Sequence, residues 1–475
     1  MIEILKQLKN AIGRDKERHL YIENVWNVYS GSWEDSSLTT PTLRSGKPSK
    51  SLIMKELEKR FPVTWKKLAR NADTSINLLR WASSKVGNIY DVPTTRLVND
   101  EEVPQYDTAI LQQTLSQLVP LSYALRNMFI RPMVVEGEIL YDVIRPDQAT
   151  VLPDPLNPRK LLAIAYKVGT RYVVWTKENH WVFGSQDFNN PILNPENPNN
   201  VNPYGIVPVV SVPNDFPIGS FWDTFGSNEL YTSSIETAIA LTDLRRLQQV
   251  ASHKQPYLKG DPDKDFDRFA ILDPANPIIL RGKEATAGVL DLKADLQQGM
   301  STILKIAGAV LSFMGFNPKI VTGESASPQS GFAILLQNAD LEAVRDKLRT
   351  TWTLHEQSLY SVTRQVVEVE RLHPENSSLE SLPEGQITTL FGDTSNPLSP
   401  QEEKDYWHSR LQGGTTTLVD VLMELDGLSK ESAEEKALEI EEYKNRSAVT
   451  STFFPPPMEE TEETIEEPEV NEEDI

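Results

Sequence analysis

The sequence predicts a helix-rich α+β fold. Three observations carry that prediction. Apolar residues recur at helical spacing over several long stretches, a proline-rich region between them has the texture of short strands, and one apolar pattern runs for about 40 residues, against the 11 to 12 of an average helix.

Taken in order, Met1 to Arg18 reads as a short amphipathic helix and not a secretory leader, because charges are scattered through it. Leu52, Leu57, Phe61, Trp65, Leu68, Ile76, Leu79 and Val86 predict helices between Ser51 and Val86. A further helix is expected over Thr108 to Phe129. From Met133 the period changes, and Val134, Val135, Ile139, Leu140, Tyr141, Val143 and Ile144 suggest paired strands turning at Gly137. Strand signals continue at Leu161 to Val168, Tyr172 to Trp175 and Trp181 to Phe183. Eleven prolines between Pro146 and Pro217 rule out a long helix there.

A long helix is expected from Thr224 to Lys254, stopped by Pro256. Tyr257 to Asp291 reads as a small β insert with strand-like Phe269 to Leu272 and Ile278 to Leu280. Leu292, Leu296, Met300, Ile303, Ala307, Val310 and Met314 then mark the narrow seam of a packed helix. A polar loop, Asn317 to Ser330, leads into the longest pattern, from Leu336 through Trp352 and His355 to Val369, which predicts a helix of roughly 60 Å. After a strand at Gln386 to Phe391, Ser399 to Arg446 reads as two or three charged helices, and Ser447 to Ile475 as a disordered acidic tail.

Composition narrows the function. The 475 residues hold 47 Lys plus Arg against 68 Asp plus Glu, a formal charge of -21. A protein that grips DNA through its phosphates is disfavoured. Ten of the acids fall between Glu459 and Asp474 with no base among them, as expected of a solubilising tail or a docking arm. With no cysteine, disulfides, thiolate metal sites and cysteine nucleophiles are excluded. The most apolar stretch, Ile303 to Phe316, is interrupted by Lys305 and is shorter than the roughly 20 residues that span a bilayer, so a soluble protein is expected.

Catalytic signatures are missing. Asp261, Asp263, Asp265 and Asp267 begin like a calcium loop, but Phe266 stands at the glycine position and Leu272 at that of the bidentate glutamate. Gly46-Lys47 is followed by Pro48 and Gly282-Lys283 by Glu284, so neither is a phosphate loop. Gly323 to Ser327 lacks the second glycine of a nucleophile elbow. His19, His180, His253, His355, His373 and His408 never take metal-ligand spacing, and His355 reads as a core histidine. No enzyme activity and no cofactor are expected.

The order of elements resembles the siphophage-type portal family of tailed bacteriophages over nearly the whole chain. Local stretches resemble it too: Asn202 to Val210, where Gly205 and Pro208 turn the chain into a buried strand; Gly219 to Leu241; Gly323 to Ala333; and Ile387 to Ser399 followed by Gly413 to Leu425 and Glu434 to Glu442. The resemblance implies a dodecameric ring at one capsid vertex, with wing, stem, clip and crown. Carried onto this chain, 1–223 and 331–398 form the wing, with a spine helix from Gly331 to Leu372. Residues 224–256 and 292–316 are stem helices, 257–291 the clip, 317–330 a tunnel loop, 399–446 the crown and 447–475 the tail.

What the resemblance implies about function is a channel for packaging and ejecting double-stranded DNA without sequence specificity. Its partners would be copies of itself, a terminase, a head-tail adaptor, and major capsid and scaffold proteins, with no membrane. An acidic wall suits sliding, because each neutralised phosphate adds affinity. The channel residues would be Lys293, Lys305, Lys319, Thr322, Glu324, Ser325, Ser327 and Gln329. The clip residues meeting terminase or adaptor would be Lys259, Asp263, Lys264, Asp267 and Arg268. Lys293 and Lys305 are also readable as solvated helix positions, the 317–330 loop as a surface linker, and the 292–314 stripe as the core face of an ordinary helical hairpin. The competing readings are a capsid-associated or adaptor protein without a channel and a nuclease with scattered carboxylates.

Overall fold

The structure is a computed structural model describing residues 2–37, 51–63, 65–69, 72–193, 195, 197–223, 228–252, 255–259, 286–290, 296–317, 331–392, 400–413, 416–426 and 432–440. Contacts divide the chain into two units, 1–329 with 333–395, and 330–332 with 396–475. The predicted α+β class is the observed one.

The first unit opens on α1 (Ile2–Ser30), which is longer than the expected 18-residue helix because Ile22, Val25 and Val28 continue its apolar face into the core. Short helices α2 (Ser51–Arg60), α3 (Trp65–Ala69) and α4 (Leu78–Val86) follow. The Asn77 side chain caps α4 by accepting the Arg80 N–H. Next comes α5 (Ala109–Leu125), capped by Thr108.

One sequence expectation fails here. The helix predicted to reach Phe129 stops at Leu125, Arg126 turns at a φ of 69°, and Asn127 to Val135 form strand β3. The reason is tertiary. On one side β3 pairs with β4 (Glu138–Ile144) along its length, and on the other with β9 (Val210–Pro213). Two neighbours satisfy backbone groups that a further helical turn would otherwise have had to pair. The β3–β4 turn falls at Glu136-Gly137, both at positive φ, as a two-residue hairpin turn requires.

A second sheet is an antiparallel meander in chain order, β5 (Ala149–Pro153), β6 (Leu161–Val168), β7 (Arg171–Thr176) and β8 (His180–Phe183). Leu8 of α1 packs on it with Trp181 and Phe183. A third sheet pairs β1 (Thr95–Val98) with β2 (Glu101–Glu102) and with the distant β12 (Ile387–Leu390).

Helix α6 (Asn228–Ser252) leads to an antiparallel pair, β10 (Gln255–Lys259) and β11 (Thr286–Leu290), and α7 (Leu296–Ser312) follows it. The 40-residue α8 (Gly331–Glu370) realises the long predicted helix. Its Leu341, Leu348, Trp352, Leu359, Tyr360 and Val367 sit in the main core. His355 is buried as expected, its Nε2–H donating to the Pro213 carbonyl at 2.8 Å.

The second unit holds α9 (Pro400–Gln412), α10 (Leu418–Asp426) and α11 (432–440). Thr417 and Asp420 cap α10 reciprocally: Thr417 N–H donates to Asp420 Oδ2 at 3.0 Å, and Asp420 N–H to Thr417 Oγ1 at 3.2 Å.

Candidate functional site

The feature that the sequence singles out is the hairpin of α6 and α7, and its burial is graded along its length. On α6, Leu230, Ser234, Ile235, Thr237, Ala238, Ile239, Leu241 and Thr242 are buried, whereas Arg245, Leu247 and Gln248 are exposed. On α7 the order is reversed: Gln297, Gln298, Met300 and Thr302 are exposed, and Ala307, Gly308 and Leu311 buried. Opposite gradients on antiparallel helices mean that one end of the hairpin is rooted in the core while the other, which carries β10 and β11, leaves it.

The root is pinned by polar as well as apolar contacts. Ser234 Oγ accepts the Leu79 N–H and Thr242 Oγ1 the Asp73 N–H, each at 2.9 Å and buried. Each hydroxyl in turn donates to the carbonyl four residues back in α6, so the buried polar groups are satisfied. Asp73 also receives Arg245 at 2.6 Å. Just before α6, Arg126 Nη2 reaches Asp223 at 2.7 Å and Asp215 at 2.9 Å, and Lys347 of α8 reaches Asp215 at 3.1 Å. Burial alone would raise the Asp215 carboxyl, but Lys347 and Arg126 hold it below its ordinary value.

The two helices approach closely at Gly299. A Cβ on Gly299 would lie 2.8 Å from Leu244 Cδ1, so glycine allows the close approach. At its far end α7 closes with a Schellman motif: Phe316 N–H donates to the Leu311 carbonyl and Gly315 N–H to that of Ser312, both at 3.1 Å, with Gly315 at a φ of 83°. Phe316 is buried against Trp81, ring centroids 5.0 Å apart. A Cβ at Gly315 would meet the Asp340 carbonyl of α8 at 3.0 Å.

Of the predicted channel residues, Lys305 stands exposed on α7. Lys293, Lys319, Thr322, Glu324, Ser325, Ser327 and Gln329 lie outside the described residues, as do Asp263, Lys264, Asp267 and Arg268 of the insert. Lys259 ends β10, opposite Thr286. The strand-like stretches expected within the insert also lie outside the described residues, and the described pair β10 and β11 brackets them. Among the described residues no group of three or more His, Asp or Glu could hold a metal ion, and no helix is long and apolar enough to cross a membrane.

Sequence reasoning missed a second apolar row on α7. Ile306 is 61% and Phe313 87% exposed, with exposed Thr302 and Ala309 on the same side. The signal was present as the spacing 302, 306, 309, 313, but the overlapping stripe from Leu296 to Met314 also fits a packed helix, and one helix was assigned one apolar face.

No family model matches the sequence, and no curated protein does. Among solved structures, the chain is similar to a chain from the virion of a native gene transfer agent particle, at 13% identity and a TM-score of 0.44, covering 78% of this chain and 94% of that one. It is also similar to a chain from the neck of an empty gene transfer agent particle, at 12% identity and a TM-score of 0.40 over the same shares.

Proposed function

We propose that this chain is the subunit of a portal ring in a phage or phage-like particle, with copies side by side and their α6–α7 hairpins walling a channel for double-stranded DNA. The observation that carries the reading is the graded hairpin: its root is in the core, its distal turns are exposed, and α7 presents an apolar row that its own subunit leaves uncovered. Exposed aromatic and aliphatic side chains in a row are the signature of an interaction surface. Helices of this kind, set shoulder to shoulder, supply a wall.

Charge agrees with the reading. A subunit that stays acidic even apart from the ten acids of its tail repels a duplex on the ring axis, and sparse lysines such as Lys305 steady it without the phosphate-by-phosphate affinity that would stop it sliding. The ring would sit at a capsid vertex, with the insert beyond β10 and β11 meeting the packaging motor and then the head-tail adaptor. No catalytic step is assigned to this chain.

Negative-stain imaging of the purified full chain tests the proposal. Rings with an axial opening are expected, and monomers or solid particles would overturn it. Charge reversal at the lumen, Lys305→Glu, should leave the rings intact and change DNA packaging or retention. Unchanged packaging would remove Lys305 from the channel.

A further inference from the structure

Arg18 fastens α1 to two other parts of the chain. Its Nη1 donates to the Pro146 carbonyl at 3.2 Å and its Nη2 to the Ala149 carbonyl at 3.3 Å, while the guanidinium carbon lies 3.5 Å over the ring of Trp222. Within the helix, Nη2 also donates to Asp15 Oδ2 at 3.0 Å. One side chain thus ties α1 to the turn between β4 and β5 and to the segment before α6. Beside it, His19 Nε2 lies 2.7 Å from the same Nη2 and 3.1 Å from the Ala149 carbonyl.

A guanidinium has hydrogens to give and no lone pair with which to receive. At 2.7 Å His19 Nε2 must therefore be the acceptor, and the ring is neutral with its proton on Nδ1. A protonated ring donates from both nitrogens, and two donors cannot hold a hydrogen-bond distance. The ring lines a polar cavity of about 210 Å³ with Glu23 of its own helix, Arg145 and Asp147 of the β4–β5 turn, Lys167 of β6 and Tyr172 of β7. Asp147 is paired with Arg145 at 2.8 Å. Burial, and then Arg18, hold the imidazole below the ordinary histidine value against the pull of Asp15, the Ala149 carbonyl and Asp147.

We propose that His19 and Arg18 form an acid-released latch, closed while the ring is neutral and opened when Nε2 takes a proton, so that α1 parts from the β4–β5 turn and from Trp222. The Nε2–H of the charged ring competes for the Ala149 carbonyl, and the like charge of Arg18 is driven from that carbonyl and from the indole. The open state takes the proton more readily than the closed one, so opening is favoured as pH falls below about 6.5. His180 and His355, at about 4, stay largely neutral while this happens. The latch belongs to a single subunit and operates whether or not a ring forms.

Hydrogen exchange of the full chain tests the latch, read by mass spectrometry at about pH 7.5 and about pH 5, which bracket the ordinary histidine value, and corrected for the intrinsic pH dependence of exchange. Peptides over 12–25, 146–153 and 219–223 should exchange about tenfold faster at the lower pH, since one pH unit between the proton affinities of the open and closed states is a factor of ten. Peptides of β1 and β12 should stay as protected as before. His19→Gln keeps an acceptor for Arg18 and cannot be charged, so it should remain protected at both pH values. His19→Lys carries the charge throughout and should exchange fast already at the higher pH. No change in the native chain, or the same change in His19→Gln, would overturn the proposal. So would a loss of protection spread evenly over the chain, which is general acid unfolding.

Discussion

Arg96 of β1 and Glu356 of α8 form a two-pronged ion pair with both side chains fully buried: Nε and Nη2 of Arg96 donate to the carboxylate at 2.9 and 2.7 Å. Tyr90 Oη donates to the same carboxylate at 2.9 Å, and Arg96 Nη1 reaches Asp107. The pair fastens the long helix to the β1–β12 sheet at one point along its length.

Removing one partner should therefore cost more than removing both. Glu356→Ala leaves the buried Nε and Nη2 of Arg96 and the Tyr90 hydroxyl without their acceptor and, with Asp107 still on Nη1, should destabilise the fold by about 3 kcal/mol, whereas the volume-matched pair Arg96→Met with Glu356→Leu should recover most of the loss. Urea unfolding of the three proteins checks this, and equal losses would contradict it.

His355 makes stability depend on pH. Burial pushes its imidazole down to about 4, against a partial lift from its bond to the Pro213 carbonyl. An unfolded histidine titrates near 6.5. Between these values the unfolded chain binds a proton that the folded chain refuses, so stability is full above about 6.5 and falls as pH drops towards 4. The change is roughly 3 kcal/mol. His355→Gln should lessen the slope of unfolding free energy over that window without abolishing it, because burial also holds His180, at about 4, and His19 below the ordinary histidine value; an unchanged slope would contradict the assignment.

At Gly87 a methyl group should do harm. Its φ of -72° suits any residue, and alanine would otherwise gain about 0.4 to 1 kcal/mol by stiffening the unfolded chain. A Cβ there would lie 2.6 to 2.8 Å from the ring and backbone of Pro120, which cannot swing aside. Gly87→Ala should thus lower stability by about 1 to 3 kcal/mol, read as a fall in melting temperature.

The two rows of α7 should separate cleanly in a dilute, unassembled sample. Leu311 is fully buried, and Leu311→Ala should cost about 2 to 5 kcal/mol. Phe313→Ala, at 87% exposure, should change subunit stability by less than about 0.5 kcal/mol. Denaturant midpoints measure both.

Much of the fold was legible because each element writes its own period into the sequence. Strands β6, β7 and β8 of the meander, the Gly137 turn, the long α8 and the buried His355 all follow from local pattern, whereas β5 (Ala149–Pro153) was not read. Where pattern was ambiguous, reading went astray. Asn127 to Phe129 fit the end of a helix as well as the start of a strand, and the choice was made by β4 and β9 lying on either side. The apolar residues of α7 were read as one seam because periodicity counts apolar positions without saying which of them find a neighbour.

By itself, then, the sequence determined the class of fold, the length of α8 and the absence of cysteine chemistry. Those are properties of residue type and spacing. Tertiary structure alone decided that Arg96 faces Glu356 across 260 residues of chain, that Ser234 and Thr242 anchor the hairpin root to the first turn of α4 and to the segment before it, and that Ile306 and Phe313 stand exposed. Burial and pairing depend on which surfaces meet. That information lies in the packing of distant segments, which no local window contains.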